Sequence, residues 1–203
     1  MPTSPTSNKS QSLSKSQIRT AEIYRVAANL IHEKGFEATS MNDIAKRLKL
    51  TKAGLYYYIH GKRDLLYSII KFGMQKLEEQ VIIPSMEIED PEERLKQIIE
   101  KHTLLILELG GSISILTDEV QSLTPPHRRI IVAMKRDYMD FVRETLRQLR
   151  AQKKLNQLNI NIASMNIFAI IVGVARWHNP KKGWSKSRVA REITKFATAA
   201  VLR

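Results

Sequence analysis

Apolar residues recur with the 3.6-residue period of a helix from residue 16 almost to the end of the 203-residue chain, and no stretch alternates apolar and polar residues as a half-buried strand would. This pattern predicts an all-α fold of about nine helices. The first runs over 16–34, where Ile18, Ala21, Ile23, Val26, Ala27, Leu30 and Ile31 share one face, and stops at Lys34-Gly35 because glycine accepts a left-handed C-cap. Ser40 with Asp43 three residues on has the form of a capping box opening a short helix at Met41–Leu48, and Thr51 caps a second over Lys52–Ile59. A longer helix follows from Arg63 to Ile82, broken by Pro84. Asp90-Pro91-Glu92-Glu93 opens the next, with a capping carboxylate and acids on the positive end of the helix dipole, and it extends to Leu109. After Gly110-Gly111, helices are predicted at 112–122, at 124–154, at Ile160–Trp177 and from Ser185 almost to the end.

Charge limits the partners. Lys and Arg exceed Asp and Glu by 33 to 20, a net charge of +13, and residues 1–63 hold 11 of the bases against 4 of the acids. A polyanion is therefore the first partner to consider, and the front of the chain is where it would bind. Charge alone suits a structural nucleic-acid-binding protein equally well. Residues 1–15 read as an unstructured basic arm with no apolar core of a secretory signal, no apolar run reaches the roughly 18 residues of a membrane span, and a cytoplasmic location is expected. The chain lacks cysteine, which excludes disulfides, thiolate metal sites and cysteine nucleophiles. His32, His60, His102, His127 and His178 are scattered singly, so neither a metal site nor catalysis is expected. Asp137, Asp140 and Glu144 have helical spacing, but Arg136, Arg143 and Arg147 interleave with them as on a solvated, salt-bridged face.

Ser40–Ile59 has the parts of a helix-turn-helix: two short helices, a tight turn at Lys49-Leu50, and small Ala45 where the helices approach. Ile44, Leu48, Leu50, Leu55 and Ile59 supply its core, leaving Thr51, Lys52, Gly54, Tyr56, Tyr57 and Tyr58 on or near the outer face of the second helix. Hydroxyls and a lysine at a helix start suit base edges and phosphates in a major groove. For Tyr56 a half-buried structural role stands as an equal alternative.

The segment SMNDIAKRLKLTKAGLYYYIHGKRDLL, preceded by EKGFEAT, resembles the N-terminal signature of the TetR/AcrR family of regulators. The resemblance covers residues 16–70 and implies a helix-turn-helix domain over 16–62, followed by a helical effector-binding and dimerisation domain over 63–203. It implies that Ser40 and Tyr57 bind phosphates, that Lys52, Ala53, Gly54, Tyr56 and Tyr58 face the groove, and that Lys62 anchors the DNA backbone. Lys49 stands where most relatives have glycine, which predicts either about 1 kcal/mol of strain or a different turn. The protein so implied is a ligand-responsive regulator, a repressor, bound to a palindromic operator as a homodimer.

The predicted helix Ile160–Trp177 is apolar around most of its circumference, which argues burial on two sides. With the last helix it matches the family's intersubunit four-helix bundle, and Ile162, Met165, Ile170, Ala197 and Val201 are assigned to that interface. The join RWHNPKKGWS at 176–185 resembles that of relatives that sense acyl-CoA thioesters, through Trp177, Pro180, Gly183 and Ser185. Arg176, Lys181 and Lys182 would then pair with CoA phosphates and Trp177 would stack or cover the acyl channel, with Leu105, Met134, Tyr138 and Phe168 around the acyl chain. A plain connector anchored by its tryptophan is the alternative. A repressor of efflux genes responding to lipophilic drugs, and a non-specific structural nucleic-acid-binding protein, are the other functional readings.

Overall fold

The computed structural model describes residues 15–110, 119–179 and 183–203, with side chains from residue 18. Three helices form the N-terminal module: α1 (Lys15–Lys34), α2 (Met41–Arg47) and α3 (Lys52–Tyr58). The chain continues through α4 (Lys62–Leu77), a short α5 (Ile83–Met86), α6 (Pro91–Leu109), α7 (Pro125–Ala151), α8 (Ile160–Trp177) and α9 (Lys186–Val201). Among the described residues all regular structure is helical apart from one isolated antiparallel bridge between Leu155 and Leu202. The arm at 1–14 and most of the helix predicted at 112–122 lie outside the described residues; Val120–Ser122 is a single 3-10 turn.

The helix starts follow their capping chemistry. Asp90 accepts from the Glu93 N–H at 3.1 Å, which holds the Asp90 carboxyl below its usual range, and Ser185 accepts from the Arg188 N–H at 3.2 Å. Pro84 does not break the fourth helix. Residues Glu78–Ile82 widen into a π-helical stretch, in which the Ile83 N–H bonds the Glu78 carbonyl, and the helix resumes through Pro84 to Met86. Proline has no N–H to give and its ring collides with the carbonyl a turn earlier, and widening the preceding turn removes that collision.

One apolar core runs from Ile23 in α1 to Val201 in α9, and α4 carries it between the N-terminal module and the rest. Leu65, Leu66, Ile69 and Ile70 of α4 are fully buried, facing α1 on one side and α6 and α7 on the other. A displacement of α4 is therefore felt in both parts, since a close-packed core has no slack to absorb it. The helix α8, 18 residues with a mean hydropathy of 1.5, is apolar enough to cross a membrane by length and composition, with 28% of it buried. Sequence reading found no such run because Asn161, Ser164 and Asn166 interrupt it.

Candidate nucleic-acid interface and effector cleft

The reading head is built by caps. Ser40 accepts from the Asp43 N–H at 3.1 Å, and the Asp43 carboxylate takes both the Ser40 N–H at 3.0 Å and its hydroxyl at 2.6 Å. These bonds to Ser40 hold the Asp43 carboxyl below the usual carboxylate range. The α2–α3 turn keeps the left-handed shape in spite of its lysine: Lys49 has φ 55°, the Leu50 N–H bonds the Ala45 carbonyl at 2.9 Å and the Lys49 N–H bonds the Lys46 carbonyl at 3.1 Å. That is a Schellman closure, and a non-glycine residue there costs about 1 kcal/mol. Thr51 caps α3 through the Gly54 N–H at 3.0 Å, and a Cβ at Gly54 would press on the Thr51 hydroxyl at 3.1 Å.

Thr51, Lys52, Ala53, Tyr56, Tyr57 and Tyr58 are exposed and Gly54 is half-buried, while Leu55 and Ile59 turn into the core. Tyr57 is the most open at 83%, packing edge-on against Tyr58 at 5.2 Å between centroids, and the Lys52 ammonium lies 6.0 Å from the Tyr56 ring. Tyr57 is therefore open to a phosphate or base surface, while Tyr56, at 39% exposure, is partly covered and fits both the groove-facing and the half-buried reading. Lys62 is engaged within the protein: its ammonium donates to the carbonyls of Phe36 at 2.8 Å and Glu37 at 3.2 Å and lies 4.4 Å from the Phe36 ring centre.

Beyond the core, one contact joins this head to the C-terminal part and another ties α4 to α7. The Phe36 N–H donates to Glu119 at 3.3 Å, and Glu119 also accepts from the Ser122 hydroxyl at 2.9 Å. Phe36 is thus held at its N–H by the C-terminal part and at its carbonyl by α4. Tyr67 of α4 stacks flat on His127 in the first turn of α7, with centroids 3.8 Å apart and planes within 7°. Sequence reading missed both pairs because neither spacing is local.

In the C-terminal part, Leu105 and Tyr138 are buried and Phe168 is partly so. Tyr138 and Phe168 meet edge-on at 5.1 Å, and the Tyr138 hydroxyl is hydrogen-bonded to His102 Nδ1 at 3.2 Å. Burial pushes His102 down to about 3, so it is a neutral core residue, and pushes the Tyr138 phenol up. Met134 and Tyr138 open instead on a cleft of about 170 Å³ between the end of α4 and α7, lined also by Met74, Ile82, Met86 and Phe141 and bordered by Glu78 and Asp137. The π stretch supplies Glu78 and Ile82 to this wall. Asp140 and Glu144 pair with Arg143 and Arg147 at 2.8 and 2.9 Å on the surface, as expected. Arg176 and Trp177 are exposed at the end of α8, with Trp184 exposed across the join; Lys181 and Lys182, like Pro180, lie outside the described residues.

Along α8 and α9 the assigned interface residues separate. Ile162 and Met165 are 59% and 60% exposed, and Ile170 is half-buried. Ala197 and Val201 are buried within the chain, at 1% and 5% exposure, because α9 packs along α6 and turns that face inward; with Ile162 and Ile170 they line a groove of about 210 Å³ between α8 and α9. Phe196, 64% exposed and overlooked in the sequence, stands on the outer face instead. Among the described residues no group of His, Asp and Glu is arranged to hold a metal.

The comparisons with known proteins agree with this architecture. The profile of bacterial regulatory proteins of the tetR family matches residues 23–69, and that of the tetracyclin repressor-like C-terminal domain matches residues 89–201. The chain belongs to the TetR family. Its similar solved structures include AibR in complex with isovaleryl coenzyme A and operator DNA, 30% identical with a TM-score of 0.78, covering 88% of this chain and 97% of that one. PfmR from Thermus thermophilus is 27% identical, with a TM-score of 0.77 over 87% and 97% of the two chains. The HTH-type transcriptional regulator YxaF of Bacillus subtilis (strain 168) is 26% identical over 151 residues, 71% of this chain and 78% of that protein. This TetR family protein is accordingly a DNA-binding transcription regulator and not an enzyme, and the reading as a non-specific structural nucleic-acid-binding protein falls with it.

Proposed function

We propose that this protein is a repressor that binds a palindromic operator as a homodimer in the cytoplasm and releases it on binding an acyl-CoA thioester. The observation that carries the effector is the 30% identity over most of both chains to AibR, a protein solved with isovaleryl coenzyme A and operator DNA. Tyr57 and Ser40 contact phosphates, Lys52, Ala53, Gly54, Tyr56 and Tyr58 enter the major groove, and Thr51 sets the pitch of α3 as its cap. Lys62 anchors the head through Phe36 as well as facing the DNA backbone. A cleft of about 170 Å³ is below the roughly 300 Å³ at which drug-sized sites begin, which favours a short acyl group beside Met134 and Tyr138, backed by Leu105 and Phe168. Arg176, Lys181 and Lys182 take the CoA phosphates and Trp177 the adenine. Binding there pushes on α4, and operator is lost through the differential affinity of ligand for the two placements of α3.

One observation favours a second reading: Glu78 and Asp137 put two carboxylates at the rim of a methionine-lined cleft, which suits a lipophilic cation better than an anion. Titrating the operator complex with CoA thioesters of graded length, the matching free acids and lipophilic cations separates the two. Release at micromolar short-chain acyl-CoA, with weak action of free CoA and free acid, is the expected result. Release by cations alone would replace the acyl-CoA reading with that of a drug-responsive repressor.

A further inference from the structure

A third cleft, larger than both the effector cleft and the α8–α9 groove, lies where α7 ends. It has a volume of about 430 Å³ and is lined by Arg150, Lys153 and Arg203 over Leu155 and Leu158, with no acidic side chain in its wall. We propose that Arg150, Lys153 and Arg203 form a binding site for a small polyvalent anion, one bearing two or more phosphate or carboxylate groups.

The cleft is held in shape by the backbone. Past Ala151 the helix closes with the Lys153 N–H on the Arg150 carbonyl and the Lys154 N–H on the Leu149 carbonyl, both at 2.9 Å, which puts Lys153 at φ 59°. The connector then pairs with the end of the chain. The Asn156 N–H bonds the Val201 carbonyl at 2.9 Å, the Arg203 N–H bonds the Lys154 carbonyl at 3.0 Å, and the Asn156 side-chain amide donates to the carbonyls of Leu202 at 2.9 Å and Ala200 at 3.4 Å. These bonds bring Arg203 beside two cations some fifty positions earlier. Arg150 is turned across the cleft by its hydrogen bond to the Leu158 carbonyl.

Convergence distinguishes this place: three cations from two stretches of the chain line one cleft whose wall holds no acidic side chain. The neighbouring Lys154 is shared between Asp90 at 3.5 Å and Glu92 at 3.4 Å, while among the described residues Arg150, Lys153 and Arg203 have no side-chain carboxylate partner. The negative end of the α7 dipole accounts for a cation in its last turn but not for Arg203, which arrives from elsewhere in the chain. Three cations in one cleft repel one another, the α-carboxylate of Arg203 offsets only part of that charge, and a polyvalent anion reverses the balance. Two guanidinium groups can each offer a pair of parallel N–H donors to a phosphate or carboxylate, and the volume is that of a small-ligand site. The position is separate from both functions described so far. The 27 residues of α7 span about 40 Å, and the opposite end is the one stacked on α4, so this site is remote from the reading head and does not depend on the identity of the effector.

Calorimetric titration of the full-length protein with tripolyphosphate, and separately with citrate, at constant ionic strength tests the proposal. The wild-type protein should take up one equivalent per chain of at least one of the two, and the better of them names the anionic group. Arg150→Gln/Arg203→Gln should weaken that binding at least tenfold. Lys101→Gln/Arg129→Gln, which removes two exposed cations elsewhere, should leave it within twofold. Lys153→Gly keeps loss of binding distinct from loss of fold: glycine relieves the left-handed position, so this variant should melt at or above the wild-type temperature and still bind more weakly. Equal weakening in both double variants, uptake that does not saturate, or wild-type affinity in Lys153→Gly would overturn the site.

Discussion

At the scale of single residues, His102 couples the C-terminal core to pH. It is enclosed by Tyr138 and Phe168 and held neutral, its pKa driven by burial from 6.5 to about 3. The unfolded chain protonates this ring below about pH 6.5 and the folded chain does not until about pH 3, so the unfolded state binds the extra proton throughout that window. Stability is complete above pH 6.5 and is lost as the pH falls towards 3, by up to about 1.4 kcal/mol per unit. Urea melts of wild type and His102→Phe at steps between pH 7 and 4 check this. The variant should be about 1–3 kcal/mol weaker at pH 7, where Tyr138 loses its partner, and the gap should close or reverse as the pH falls. A gap independent of pH would mean that His102 is not buried neutral. The five histidines looked equivalent in the sequence, since nothing within a turn or two of His102 shows that Tyr138 and Phe168, 36 and 66 positions away, will enclose it.

At the scale of elements, α4 and the residues it touches decide how the two parts communicate. Phe36 is tied by its carbonyl to Lys62 at the start of α4 and by its N–H to Glu119, so the α1–α2 corner follows both. Glu119→Ala removes a charge-assisted bond worth at most about 1.5–3 kcal/mol, and less here because the site is only partly buried. It should speed hydrogen exchange at the Phe36 amide at least tenfold while leaving amides of α6 unchanged. Unaltered exchange at Phe36 would show that the carboxylate is a bystander. The π stretch belongs to the same picture. Pro84 can be read from the sequence as an obstacle, but whether a helix ends or widens at it depends on what the following turn buries, and Val81 and Ser85 are fully buried.

At the scale of the whole molecule, the outward face of α8 calls for a partner. Ile162, Met165 and Phe196 present large apolar surfaces beside an apolar groove, and in the proposed homodimer a second copy would cover them with two-fold symmetry. Met165→Glu and Phe196→Glu lie on that face and leave the chain's own core intact. Each should shift sedimentation at micromolar concentration from dimer to monomer, lower operator affinity by at least tenfold, and change the melting of the monomer little. Val201→Glu cannot make this distinction, because Val201 is already in the core. A wild-type protein that sediments as a monomer would remove the dimer.

What the sequence by itself determined was set by local chemistry. The helical period, the caps at Ser40, Thr51, Asp90 and Ser185 and the outward set on α3 each depend on residues within about four positions, and all appear where the spacing put them, while the choice of a left-handed turn at Lys49 over a different one was made by the structure. The family followed from the same 27-residue stretch. Tertiary structure alone decided which side of an apolar helix is core and which is exposed. Ala197 and Phe196 are adjacent in sequence and opposite in burial, because α9 packs against α6 rather than because of anything in their own neighbourhood. It alone brought Glu119 to Phe36, Tyr67 to His127, and Arg203 to Arg150 and Lys153. Those contacts join residues about 50 to 83 positions apart, and what selects them is the closing of one close-packed core, which no local spacing records.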